Sequence, residues 1–125
     1  MSEMAANRAT QPVTAIANAA LTRGLRCLLN AAGTLDPAGI GQRGDYITGV
    51  DIAAGAAGLV YPVGAGGLVA AQTSGVATNP GDDAFSAANG QFSNVSTGAQ
   101  YMGRWTLGAG AVAGQLGEVE ISAVK

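Results

Sequence analysis

The chain never runs far in larger apolar residues before a glycine, a proline or an Asn/Asp turn interrupts it. That punctuation excludes the long amphipathic helices of a bundle and leaves short strands joined by turns. Candidate strands are residues 25–30 (LRCLLN), 34–36, 45–52 (DYITGVDI, with Gly49 as a possible bulge), 59–61, 68–70, 84–86, 91–93, 101–107 (YMGRWTL) and 118–122. Between them stand turn signals: Ala31-Ala32-Gly33, Asp36-Pro37-Ala38-Gly39, Asn79-Pro80-Gly81-Asp82 and Ala88-Asn89-Gly90. Asn-Gly between alternating residues is the signature of a tight hairpin, since both positions accept a positive φ. Within residues 101–107 the alternation puts Tyr101, Gly103, Trp105 and Leu107 on one face, with Met102, Arg104 and Thr106 on the other. In residues 118–122, Glu118 and Glu120 face away from Val119 and Ile121. The expected fold class is all-β, a small β-barrel or β-sandwich-like domain over residues 25–125.

Residues 1–24 read differently. Residues 1–14 are small and polar, with Pro12 near their end, and fit an extended arm. Residues 14–21 (TAIANAAL) fit either a short helix or a part of the same arm laid on a neighbouring molecule. An arm of this kind makes Arg8, Pro12, Ile16 and Arg23 candidates for a partner interface.

Side-chain size limits what such a domain can do alone. The chain has 26 alanines and 20 glycines among 125 residues, so more than a third of it carries almost no side chain. Charged residues make up 11%, against roughly 25% in an ordinary soluble domain. A thin private core under a weakly charged surface implies stability drawn partly from other chains. Trp105, the single tryptophan, is expected in the core or as a subunit-interface anchor, and Arg104 beside it in an inter-subunit ion pair or in solvent.

Two stretches share an order of features. Gly33, Leu35, Gly49 and Ala57-Gly58 are echoed by Gly90, Phe92, Gly103 and Ala113-Gly114. The echo suggests a duplicated hairpin-plus-strand unit within a pseudo-symmetric barrel, not a solenoid.

Several chemistries are excluded or unsupported. The chain has no histidine, which removes the commonest general base together with the Ser-His-Asp and Cys-His arrangements. One cysteine, Cys27, permits neither an internal disulfide nor a Cys/His zinc cluster, and reads as a small buried strand residue. Asp82-Asp83, with Asp36, Asp45 or Asp51, could be set against a calcium site, but no EF-hand loop accompanies them and adjacent aspartates after Pro-Gly cap a solvated turn. Gly64-Ala65-Gly66-Gly67 lacks the third glycine and the following helix of a dinucleotide loop. The six basic residues are scattered from Arg8 to Lys125 at a net charge of −2, so nucleic acid is not an expected partner. No run of about 18 apolar residues provides a membrane span, and the first eight residues do not resemble a secretory signal. No enzyme activity and no cofactor are expected.

Residues 81–121 resemble the C-terminal half of the phage capsid cement (head decoration) family, once labelled a predicted phage recombinase of the RecA type. The matching text is Gly81-Asp82-Asp83-Ala84-Phe85, Ala88-Asn89-Gly90-Gln91-Phe92, Tyr101-Met102-Gly103-Arg104-Trp105 and Ala113-Gly114-Gln115-Leu116-Gly117-Glu118-Val119. Residues 46–69, with Ile47-Thr48-Gly49-Val50 and Ala57-Gly58-Leu59-Val60, look like the preceding portion. The first 24 residues depart from the family's opening, which tends to start the barrel almost at once. The resemblance implies a virion protein, made in the host cytoplasm, on the outer surface of the mature capsid. It would bridge neighbouring major capsid protein subunits, as a homo-oligomer with a trimer favoured. The alternative is another virion component, such as a tail, collar or fibre-base protein.

Overall fold

Turn residues end the strands where the backbone needs a left-handed step. Asn89 and Gly90 have φ of 57° and 77°, so the expected hairpin forms between the strands on either side. A computed structural model describes residues 12–122, as ten strands with two short 3-10 turns at Val63–Ala65 and Ala88–Gly90. The strands are β1 (Val13–Ala17), β2 (Arg26–Leu29), β3 (Thr34–Pro37), β4 (Tyr46–Thr48), β5 (Ala57–Pro62), β6 (Gly67–Gln72), β7 (Asp83–Ser86), β8 (Phe92–Ser93), β9 (Tyr101–Leu107) and β10 (Leu116–Ile121). The all-β expectation holds. β1-β3-β2-β4-β5 close into a barrel, and β6-β10-β9-β7-β8 form a second five-stranded sheet.

The two units are the same unit twice. β1 to β5 correspond in order to β6 to β10, and the ladders agree pair for pair. Cys27↔Tyr46 answers to Ala84↔Gly103, Leu29↔Leu35 to Ser86↔Phe92, and Thr48↔Val60 to Trp105↔Val119. Val13↔Val60 and Ile16↔Ala57 answer to Val69↔Val119 and Gln72↔Leu116. The parallel closure Ala17↔Leu35 answers to the isolated parallel bridge Thr73↔Phe92. Loop bonds repeat too: Leu21 N–H donates to Ile52 O (2.8 Å) and Thr78 N–H to Ala109 O (3.0 Å).

The internal echo is therefore real at Gly33/Gly90 and Leu35/Phe92, and misaligned beyond them. The chain from Trp105 to its partner Val119 is two residues longer than from Thr48 to Val60, so Gly58 corresponds to Gly117 and not to Gly114. These two glycines share a cause. A Cβ on Gly58 would lie 2.8 Å from Ile52 Cδ1, and one on Gly117 2.8 Å from Trp105 Cζ3; a large residue of each unit's core packs onto bare backbone.

Three expectations are corrected. Residues 13–17 form β1, not helix and not an arm: small Ala15 and Ala17 point inward, while Thr14 and Ile16 face out. β-branched Val13, Thr14 and Ile16 favour that strand. Residues 13–24 thus belong to the first barrel, whereas residues 1–11 of the expected arm lie outside the described residues. The alternation expected along residues 101–107 breaks at both ends of β9. Register shifts leave Met102 and Thr106 without opposite partners, so Met102 turns into the core and Leu107 out of it.

Each unit has its own core. Leu21, Leu25, Cys27, Leu35, Ile52 and Val60 fill the first barrel; Val69, Ala84, Phe92, Met102, Trp105, Val119 and Ile121 fill the second unit. Ile47, Val63 and Tyr61 belong to the first unit by sequence but pack into the core of the second. The outside of one unit thus closes the end of the other.

Candidate interaction surface

The junction between the units is built around Arg26, a fully buried residue on the outer side of β2. Its Nε donates to Gln91 O (3.1 Å), Nη1 to Gly39 O (3.3 Å) and Gln42 O, and Nη2 to Gln91 O (2.9 Å) and Ala87 O. All five guanidinium donors thus meet backbone carbonyls, with the charge seated 5.6 Å from the centre of the Phe92 ring. Burial lowers its pKa to about 10, opposed by the neighbouring Cys27; it remains cationic at neutral pH.

This wedge explains why the second unit is less closed than the first. In the barrel, Ile16 pairs with Thr34. The counterparts Gln72 and Gln91 are joined through their side-chain amides instead (3.4 Å). Gln72 N–H donates to Gly24 O (3.0 Å), and Gln72 Nε2 to Thr22 Oγ1 and Arg23 O (2.7 Å). The loop after β3 completes the cover. Gly90 N–H donates to Ala38 O (2.7 Å), Ser86 Oγ to Ile40 O, and Arg43 Nη1 to Tyr101 O and Ser122 O (3.2 Å).

The residues singled out from sequence do not gather at one place. Arg8 lies outside the described residues. Pro12 and Ile16 are exposed at the start of the barrel, Ile16 on its outer face. Arg23 is exposed in the loop before β2, its N–H held by Asp51 Oδ1 (2.8 Å). Arg104 is exposed on β9, facing Asp83 and Glu120 in the cross-strand register. Trp105 is corrected from a candidate interface anchor to a core residue: it is fully buried, lies edge-on to Phe92 at 6.3 Å and donates from Nε1 to Ser93 O (3.2 Å).

Arg26 was not singled out from sequence. Its only signal there was a charged residue within an otherwise apolar strand, where a buried cation needs a full set of acceptors.

The carboxylates serve the chain's own turns. Asp82 accepts from Asn79 N–H (2.9 Å) and Asn94 Nδ2 (3.1 Å), which lowers its pKa. Asp36 accepts from Asn30 (2.9 Å) and Asn18 (2.8 Å), with the same effect. Asp45 takes Leu29 N–H (2.9 Å). Among the described residues no group of three potential metal ligands converges. Cys27 is buried as expected, and burial pushes its thiol up to about 12.

Several large apolar side chains are left exposed. Val13, Leu29, Ile40, Leu59, Leu68, Val95, Leu107, Val112 and Leu116 each keep 42–63% of their surface open. Spread over both units, they suit contact with other chains better than recognition of a small ligand.

No protein-family model matches the chain, and no curated protein matches it. Among solved structures, the fold is similar to that of the head fiber gp8.5 N base in bacteriophage phi29. That similarity has a TM-score of 0.67 at 21% identity, covering 93% of this chain and 97% of that one.

Proposed function

We propose that this chain is a structural protein of a bacteriophage virion, seated on the outer surface of the mature capsid. It binds the major capsid protein, bridges neighbouring subunits and acts as a homo-oligomer, with a trimer favoured. The observation that carries this reading is the shared two-unit fold with a phage head fiber base, over nearly the whole of both chains. It is supported by the exposed apolar side chains and by a composition that lets backbones approach closely. Interactions available only on the mature shell would shift the equilibrium toward that shell.

A second reading is favoured by the same observation: the chain is the base of a head fibre, attached to the capsid without strengthening it. Co-sedimentation of purified protein with expanded capsids stripped of decoration tests both. Saturable binding with greater resistance of the shell to heat supports bridging. Saturable binding with unchanged shell stability supports a fibre base, and absence of binding overturns both.

A further inference from the structure

We propose that copies of this chain join head to tail, the β8–β9 loop (residues 94–100) of one copy seating on the open end of the first barrel of the next. The inference deepens the self-association part of the reading above and does not depend on capsid attachment.

It follows from the duplication. Inside the chain, the first unit covers one end of the second; each surface in that junction has a counterpart in the other unit, and the counterparts are uncovered. On the receiving side, Val69 is 5% exposed and Ser86 0%, whereas their counterparts Val13 and Leu29 are 42% and 46% exposed although both lie on inward-facing positions. Gly90, which binds Ala38, corresponds to exposed Gly33. On the inserting side, fully buried Ala38 corresponds to Val95 at 48%, and buried Ile47 to exposed Arg104. One junction is made within the chain, and its two unmatched halves stand at opposite ends of it.

The substitutions across these halves are complementary. Ile47 packs into a cluster that includes Met102. Their counterparts are Arg104 and Asp45, so two apolar members of one cluster within the chain are replaced by opposite charges that pair between copies. Asp83 and Glu120 stand opposite Arg104 on the adjacent strands. Asp83 also stands where Arg26 stands in the first unit, so no guanidinium wedge enters the next copy's barrel, whose Ile16↔Thr34 seam stays closed. The contact between copies is accordingly shallower than the internal one and reversible. Such a heterologous contact closes into a ring or continues as a filament.

The internal Ser86–Ile40 contact corresponds to Leu29 of one copy against Thr97 of the next. Leu29→Cys and Thr97→Cys proteins, each checked for a native melting transition, are mixed and oxidised. A disulfide-linked heterodimer from the mixture, with monomer from each protein alone, is expected. A dimer from either protein alone, or none from the mixture, overturns the proposal. In sedimentation velocity, Arg104→Asp or Asp45→Arg alone weakens self-association at least about ten-fold, and the double swap restores it; failure to restore overturns the ion pair and with it the proposed register. A protein that cross-links as expected yet does not bind capsids leaves this contact standing and overturns only the attachment.

Discussion

The Arg26 guanidinium carbon stands 5.6 Å from the centre of the Phe92 ring, so a cation carried by the first barrel forms part of the end wall of the second unit's core. Both residues are fully buried. A lone buried charge is costly unless its donors are satisfied, and here five carbonyl bonds meet that need without a carboxylate partner. The planar fork matters as much as the charge.

Replacing Arg26 should therefore harm stability in a way that lysine does not repair. Arg26→Met leaves the Ala87 carbonyl unpaired in the junction and Gln91 O with only its bond from Ala87 N–H, and is expected to cost about 3 kcal/mol or more. Arg26→Lys supplies three donors from one point and should recover less than half of the loss. Urea denaturation of the three proteins checks this; a lysine variant as stable as the parent would show that charge alone suffices.

Cys27 makes stability fall at alkaline pH. Burial raises its pKa from 9.0 to about 12, opposed by Arg26. Folding thus favours the neutral thiol, and its contribution is fully present below pH 9 and is lost as pH rises from 9 toward 12. Denaturation midpoints between pH 8 and 10.5 should drop more steeply for the parent than for Cys27→Ala. Parallel curves would mean that the thiol is not the titrating group.

Most of the fold was legible because turns and alternation are local properties. Asn89-Gly90 located a hairpin, and Glu118/Glu120 against Val119/Ile121 gave the faces of β10, without any tertiary knowledge. β1 was not legible, since its alternation is carried by Ala15 and Ala17, whose methyls mark no face by hydropathy. The β9 faces were misread because Met102 and Thr106 are bulge residues, and a bulge is fixed by its partner strands. The duplication was legible only where glycine turns coincide, at Gly33/Gly90. Core positions have diverged as far as Cys27/Ala84 and Thr48/Trp105, although the register survived. Nor could local pattern find the junction: Arg26 and Ile47 sit on outer faces of one unit, and the other unit completes their burial.

Gly103 tests that register directly. Its φ is +142°, and a Cβ there would run into the carbonyl of Glu120 on the paired strand. Since backbone cannot yield as a side-chain tip can, Gly103→Ala should cost about 3 kcal/mol or abolish folding. Gly41 has no positive φ and nothing within 4 Å of such a Cβ, so Gly41→Ala should change stability by less than about 0.5 kcal/mol. Thermal melts of the pair separate the effect of position from that of composition.

The junction also predicts how the units unfold. Trp105 is buried in the second unit and Cys27 in the first, so the chain carries one natural probe in each. Because Arg26, Ile47 and Val63 finish the second unit's core, the parent should lose Trp105 fluorescence and gain Cys27 thiol reactivity at the same urea concentration. In Arg26→Met the transitions should part. The first barrel keeps its own seam through Ile16↔Thr34 and Ala17↔Leu35, while the second is left with the single bridge Thr73↔Phe92. Trp105 should therefore report unfolding first. If Cys27 became reactive first, the barrel would be the weaker unit, and the wedge would be supporting the unit that carries it.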